Sequence, residues 1–142
     1  MKYLLDTNII SELVSPQPSP QVATYLKGLD ESTIYLSVIT IGEIEAGIQR
    51  LPHSKKRAYL SQWLHDELLP RFDSRIIDID TEVMLRWGEL TGRLKSKGIS
   101  LPIMDTLIGA SSLVSGCTLI TRNEKDFRHM GISIINPFTL QP

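Results

Sequence analysis

No disulfide can form within this chain, because Cys117 is its only cysteine. A zinc site built from several cysteines is excluded for the same reason. Cys117 enters the apolar run Thr118, Leu119, Ile120 and reads as a small buried hydrophobe. Long apolar runs are missing too: none approaches the ~18 residues that span a bilayer, and Met1–Leu5 is too short for a signal-peptide core. The protein is therefore expected in the cytoplasm, away from membranes. An excess of one charge is also lacking, since 15 Lys and Arg stand against 16 Asp and Glu, a net charge of -1. A general nucleic-acid coat protein would be more basic, so any nucleic acid must be held at a local patch.

Several common signatures are absent. There is no G-x-x-x-x-G-K-[ST] phosphate loop, no G-x-G-x-x-G fingerprint and no G-x-S-x-G elbow, which excludes the usual nucleotide switches and serine hydrolases. The three histidines, His53, His65 and His129, stand apart from the acidic residues discussed below. What remains is a chain of 142 residues with 42% hydrophobic and 22% charged residues. That composition suits one globular domain, residues 1–142, with a single core.

The stretch MKYLLDTNII organises the rest. Tyr3, Leu4 and Leu5 form an apolar run that stops at Asp6, Thr7 and Asn8, and Ile9, Ile10, Leu13 and Val14 follow at helical spacing. This predicts a buried strand running straight into a helix, and an unbroken apolar strand belongs in a parallel sheet covered on both faces. Ligands of such sheets bind beyond the carboxyl ends of the strands, where Asp6 stands. Asp, Thr and Asn are also ordinary helix N-caps, so Asp6 alone reads either as a cap or as a site.

Further along, Pro16, Pro18 and Pro20 make a loop, and Ser19-Pro20 reads as the N-cap and first residue of a helix to Leu29. Thr33–Ile39 is the second strand. Thr40-Ile41-Gly42-Glu43 has the form of a capping box opening a helix to Leu51. Ser54–Leu69 is another helix, Arg75–Ile79 the third strand, and Asp80 or Thr81 caps a long helix to Lys97. Pro102 suits the first position of a nearly all-apolar helix to Ser115, expected to be buried, in which Asp105 is the exception. Gly116 ends it, Thr118–Thr121 is the fourth strand, Arg122–Phe127 a polar loop with a helical turn, and Ile132–Ile135 a short last strand. The alternation predicts a three-layer α/β/α sandwich over a mainly parallel sheet of four to five strands.

On that map Asp6 ends the first strand, Glu43 opens the helix after the second, and Asp126 lies in the loop after the fourth. All three fall at the carboxyl edge of the sheet. Asp105 joins them if its helix begins near the same edge. With strand order 3-2-1-4-5 the winding reverses between strands one and four, beside Asp6 and Asp126. Crowded carboxylates repel unless a cation compensates, and oxygen donors without His or Cys select Mg²⁺, or Mn²⁺ in its place, over zinc. Carboxylate-held Mg²⁺ suits phosphoryl chemistry. Phosphodiester hydrolysis is therefore favoured over sugar or acyl chemistry.

The segments LLDTNIISEL, IGEIEAGI, IMDTLIGA and LITRNEKDF, in this order and spacing, resemble the PIN-domain family, and within it the VapC-type toxins of type II toxin-antitoxin pairs. The resemblance covers nearly the whole chain. It implies a Mg²⁺-dependent endoribonuclease that cuts RNA, usually as a homodimer. It also implies silencing by a small VapB-like antitoxin in the active-site groove, the two forming a hetero-oligomer on operator DNA. On the family pattern Asp6 and Asp105 would be the principal metal ligands, and Glu43, rather than Glu45, would complete the cluster from the first turn of its helix. Thr7, Asn8 and Thr121, with Asn123 beside them, would orient these ligands by hydrogen bonds.

Many members carry Asp two residues after the Thr that ends the fourth strand. Asn123 stands there, which leaves Asp126 as the fourth acid, for a second ion or the attacking water. Arg122, Lys125 and Arg128 are near enough to steer an RNA backbone, or are merely solvated. Two other readings stay open: a PIN-fold binding module acting mainly with its antitoxin as a DNA-bound autorepressor, and another Mg²⁺-dependent phosphodiester hydrolase. Ile10, Leu13, Val14, Tyr25 and Leu26 form either a dimer or antitoxin surface or ordinary core.

Overall fold

Leu4 and Leu5 point to opposite faces of one strand, and each enters a different core. The computed structural model describes residues 1–140. Strand β1 (Lys2–Leu5) pairs in parallel with β2 (Ile34–Ser37) on one side and β4 (Cys117–Ile120) on the other. Strand β3 (Ile76–Ile77) extends the sheet beyond β2, and β5 (Ile134–Ile135) beyond β4. The order is β3-β2-β1-β4-β5, all parallel, as the sequence predicts.

On one face lie α1 (Thr7–Leu13), α2 (Pro20–Lys27), α3 (Val38–Gln49), α4 (Lys55–Trp63) and α5 (Leu69–Arg71). Their core joins Leu5, Ile9, Ile10, Val22, Leu36, Ile48, Leu64 and Ile120. The other face carries α6 (Thr81–Ser96), α7 (Ile103–Ser115) and α8 (Glu124–Phe127) over Leu4, Leu90, Leu94, Ile108, Leu119, Phe127 and Met130. Leu119 and Ile120 repeat the alternation of Leu4 and Leu5. Each fully buried side chain of this kind contributes about 1.5–3 kcal/mol, so the two cores stabilise the sheet from both sides.

Several expected boundaries move. The second strand is shorter than Thr33–Ile39, because the Ser37 hydroxyl accepts the Ile39 N–H at 3.0 Å and caps α3 there. The expected helix over Ser54–Leu69 runs on to Arg71 through a π-helical turn, Leu64–Leu68, in which the Leu69 N–H reaches Leu64 O. Pro70 follows directly and has no N–H to give the ordinary ladder. Pro102 occupies the N-cap place of α7 rather than its first turn. That helix is not buried throughout, since Ile103 is 64% and Met104 48% exposed. Gly116, at φ 69°, closes it in the left-handed conformation that glycine adopts without strain. Gly109 allows the segment after α8 to press against α7, for a Cβ there would overlap Met130 Sδ.

Candidate active site

Asp6 both caps a helix and lines the candidate site. Its Oδ1 accepts the Thr7 N–H at 2.8 Å and opens α1, while Oδ2 accepts the Thr121 hydroxyl at 2.7 Å and the Asn8 amide at 3.2 Å. Its own N–H donates to Ile120 O at 2.9 Å, tying the end of β1 to the end of β4. The side chain is only 5% exposed. Burial pushes its pKa above the ordinary carboxylate value and the Glu43 charge adds to this, against the hydrogen bonds from Thr121, Thr7 and Asn8.

Glu43 lies one turn deeper in its helix than the capping-box reading placed it. Because Ser37 provides the cap, Thr40 falls inside α3, fully buried, 3.2 Å from the Thr7 hydroxyl. The Thr7 hydroxyl donates to Glu43 Oε1 at 2.6 Å. Thr40 thus backs Thr7, a role its place in an apparent capping box concealed.

Asp105 does reach the same edge. The Trp87 indole of α6 donates to the Thr106 hydroxyl at 2.9 Å, and that hydroxyl donates to Ile103 O at 2.9 Å, which fixes the first turn of α7. The Asn123 amide then donates to Asp105 Oδ2 at 3.3 Å and to Asp126 Oδ2 at 3.2 Å, and the Asn123 N–H donates to Thr121 at 2.9 Å. A polar chain therefore runs from Asp6 through Thr121 and Asn123 to the other two acids. Partial burial, then the charges of Asp6, Asp126 and Glu43, push the Asp105 pKa up to about 6.

Asp6, Thr7, Asn8, Glu43, Asp105 and Asn123 line a cleft of ≈ 500 Å³ with Ser11, Glu12 and Ser15. Asp126 stands beside it, joined through Asn123. Glu12 was not anticipated, although its spacing from Asn8, i to i+4 on one helix, was a usable signal. Its carboxylate accepts the Ser19 N–H at 3.1 Å and the Ser15 hydroxyl at 3.3 Å, joining α1 to α2. Arg122, Lys125 and Arg128 are exposed. Of the apolar surface candidates, Ile10 and Leu26 are core. Leu13 and Val14 flank a second groove of ≈ 670 Å³, apolar along Ile10, Leu26, Tyr59, Trp63 and Phe72 and lined also by Lys27, Glu31, Glu67 and Arg71.

No group of three His, Cys, Asp or Glu among the described residues is gathered as tightly as a metal ion requires. The donor chemistry nevertheless fits a hard divalent cation. The four acids offer oxygen alone, and among the described residues none of them forms an ion pair with Lys or Arg.

The family model described as PIN domain matches residues 3–132. The chain belongs to the PIN-domain family. A relative, toxin FitB of Neisseria gonorrhoeae, is 33% identical over 135 residues, which is 95% of this chain and 97% of FitB. The VapC ribonuclease Y4jK of Sinorhizobium fredii is 31% identical over 95% of this chain and 96% of its own length. The solved structure of FitAB bound to an IR36 DNA fragment contains a chain that superposes with a TM-score of 0.92 at 31% identity, covering 99% of this chain and 98% of that one.

Proposed function

We propose that this PIN-domain chain is a Mg²⁺-dependent endoribonuclease and the toxin of a toxin-antitoxin pair. The observation that carries the reading is the placing of Asp6, Glu43, Asp105 and Asp126 around one carboxyl edge, none of them paired with Lys or Arg among the described residues and Asp105 raised to about 6. Such mutual repulsion calls for a bound cation. The relatives, a VapC ribonuclease and a toxin, support both halves of the proposal.

In this proposal Asp6, Glu43 and Asp105 hold one Mg²⁺, with Mn²⁺ able to replace it, and Asp126 helps a second ion or positions the attacking water. The metal, when bound, polarises phosphate oxygens and lowers the pKa of a bound water. The chain's own residues do the rest. Thr121, Asn8 and the Thr7 N–H fix both Asp6 oxygens. The Thr7 hydroxyl fixes Glu43, and Asn123 holds Asp105 and Asp126 on one amide. Orientation of this kind preserves the ligand geometry between turnovers. The attack is in line on an RNA phosphate, leaving a 5′-phosphate and a 3′-hydroxyl.

The same reading makes the chain a cytoplasmic homodimer with a small antitoxin as partner, the two bound together on operator DNA. Support comes from the solved complex of FitAB with DNA. Among the described residues no helix is long and apolar enough to cross a membrane. The test is cleavage of total cellular RNA by antitoxin-free protein in Mg²⁺ or EDTA, beside Asp6→Asn and Asp105→Asn. Discrete fragments that need metal and vanish in both variants establish the nuclease. Absence of cleavage by folded, metal-loaded protein overturns it and leaves the DNA-bound module, which the FitAB complex favours as the second reading.

A further inference from the structure

Arg122 is braced in a way that the other two basic residues on this rim are not. Its N–H donates to Asn8 Oδ1 at 3.1 Å, and its carbonyl accepts the amide of Asn136 at 3.5 Å. Its guanidinium stacks on the Phe138 ring, 4.4 Å from the centroid. The turn that presents Phe138 is closed on itself, with the Phe138 N–H on Asn136 Oδ1 at 3.0 Å and the Thr139 N–H on Asn136 O at 3.3 Å. Asn136 is only 7% exposed, and Phe138 is packed against the core beneath α1 to α5. Among the described residues the Arg122 side chain has no carboxylate partner, and Lys125 and Arg128 have neither a carboxylate nor a ring.

The acid cleft needs such a group. Among the described residues no Lys or Arg lines it, so a polyanion entering it meets carboxylates, hydroxyls and amides. We propose that Arg122, stacked on Phe138, is a phosphate-binding platform for the single-stranded RNA that flanks the scissile bond. This rests on the ribonuclease reading above. Stacking occupies the guanidinium's face and leaves its N–H edges free, and that planar fork matches two phosphate oxygens. The ring and the turn fix the side chain beforehand, so less rotamer entropy is lost when the strand binds. Asn8 accepts the Arg122 N–H and donates to Asp6, so the backbone that carries this arginine is tied to the acid, while Arg122 itself does not line the cleft; the phosphate it holds is a neighbouring one, not the one at the acids.

The experiment measures binding of a fluorescent single-stranded RNA of about 12 nucleotides, within the range one such binding surface covers, in EDTA over a series of salt concentrations. Arg122→Ala is expected to weaken binding about tenfold and to reduce the slope of log K against log salt by about 0.7, the release expected for one phosphate contact. Arg122→Lys keeps that slope and loses several-fold in affinity, because it keeps the charge but not the fork. Phe138→Leu preserves apolar volume and folding and costs about threefold, the worth of a modest cation–π contact. Lys125→Ala and Arg128→Ala stay within about twofold. In Mg²⁺, Arg122→Ala raises KM for RNA while kcat holds within about twofold, the mark of lost uniform binding. Wild-type cleavage with Arg122→Ala no weaker than Lys125→Ala overturns the platform alone. A folded wild-type protein that neither binds nor cuts RNA overturns the ribonuclease reading, and the platform with it.

Discussion

The acid cleft and the apolar groove lie next to one another, share Ser15, and are built on opposite principles. In the cleft, buried and half-buried carboxylates are held near one another at a cost in electrostatic energy, and hydrogen bonds from Thr7, Asn8, Thr121 and Asn123 fix their orientation. In the groove, Ile10, Leu26 and Leu68 are held by burial, which has no direction of its own, and Phe72 is buried beneath the Arg75 guanidinium, 4.5 Å from its ring centroid. Helix α1 serves both, with Thr7 and Asn8 toward the acids and Ile10 and Leu13 toward the groove. The cleft's hydrogen bonds converge on acids that form no ion pair among the described residues, whereas the groove's join Arg71 to Glu31 as a neutralised pair.

The largest expected effect separates the two regions by function. Asp6→Asn and Asp105→Asn are each expected to lower RNA cleavage on the order of 10³-fold or more, since an acid-held metal site loses a ligand charge. Mg²⁺ is expected to raise the wild-type Tm through linkage, and that rise is expected to disappear in both variants. If either variant cleaves normally, the cleft is not the reaction centre. Next comes Thr121→Val, which keeps shape but removes the donor to Asp6. A loss of about 10- to 100-fold in activity or metal affinity is expected, read as a Mg²⁺ titration of cleavage.

Gly109→Ala tests packing behind the acids. The added methyl overlaps Met130, and overpacking of this kind costs about 1–3 kcal/mol, measured by urea denaturation. Unchanged stability would show that Met130 has room to move.

A smaller effect concerns pH. The folded-state pKa of Asp105 is raised from 3.8 to about 6, so the fold binds this proton more tightly than the unfolded chain does. The metal-free protein therefore loses stability as pH rises through the window from 3.8 to about 6 and levels off above it. Asp6 is shifted in the same direction. Asp105→Asn in EDTA should flatten that slope and melt higher than wild type at pH 7, while losing cleavage. A lower melting point would mean that Asp105 supports the fold rather than strains it. The smallest effect belongs to the groove. Tyr59 is 61% exposed, and Tyr59→Ser is expected to leave RNA cleavage within about twofold and stability within about 0.5 kcal/mol.

The groups of residues that make β1 and β4, and the sheet order they belong to, were legible because strand and helix signals alternate cleanly. Asp6 was legible for the same reason, at the point where an apolar run meets capping residues. Glu43 was placed at the cleft although the local reasoning was inexact. A hydroxyl at Ser37 and one at Thr40 both suit a cap, and only the tertiary contact of Thr40 with Thr7 decides between them. Asp105 could be noticed as a charge in an apolar helix, but its place at the cleft depends on Trp87 of α6 and on Asn123, 18 positions away. No local pattern encodes either contact. Strands β3 and β5, two residues each, were overextended because apolar runs mark burial rather than pairing.

The Trp87–Thr106 hydrogen bond also gives the molecule an optical use. The chain has two tryptophans: Trp63 lies in the wall of the apolar groove, and Trp87 is bonded to the residue next to Asp105. Near-ultraviolet emission therefore comes from one indole in each region. In a Trp63→Phe protein the remaining signal watches the first turn of α7 alone, so the acid cleft can be followed in real time without any added dye.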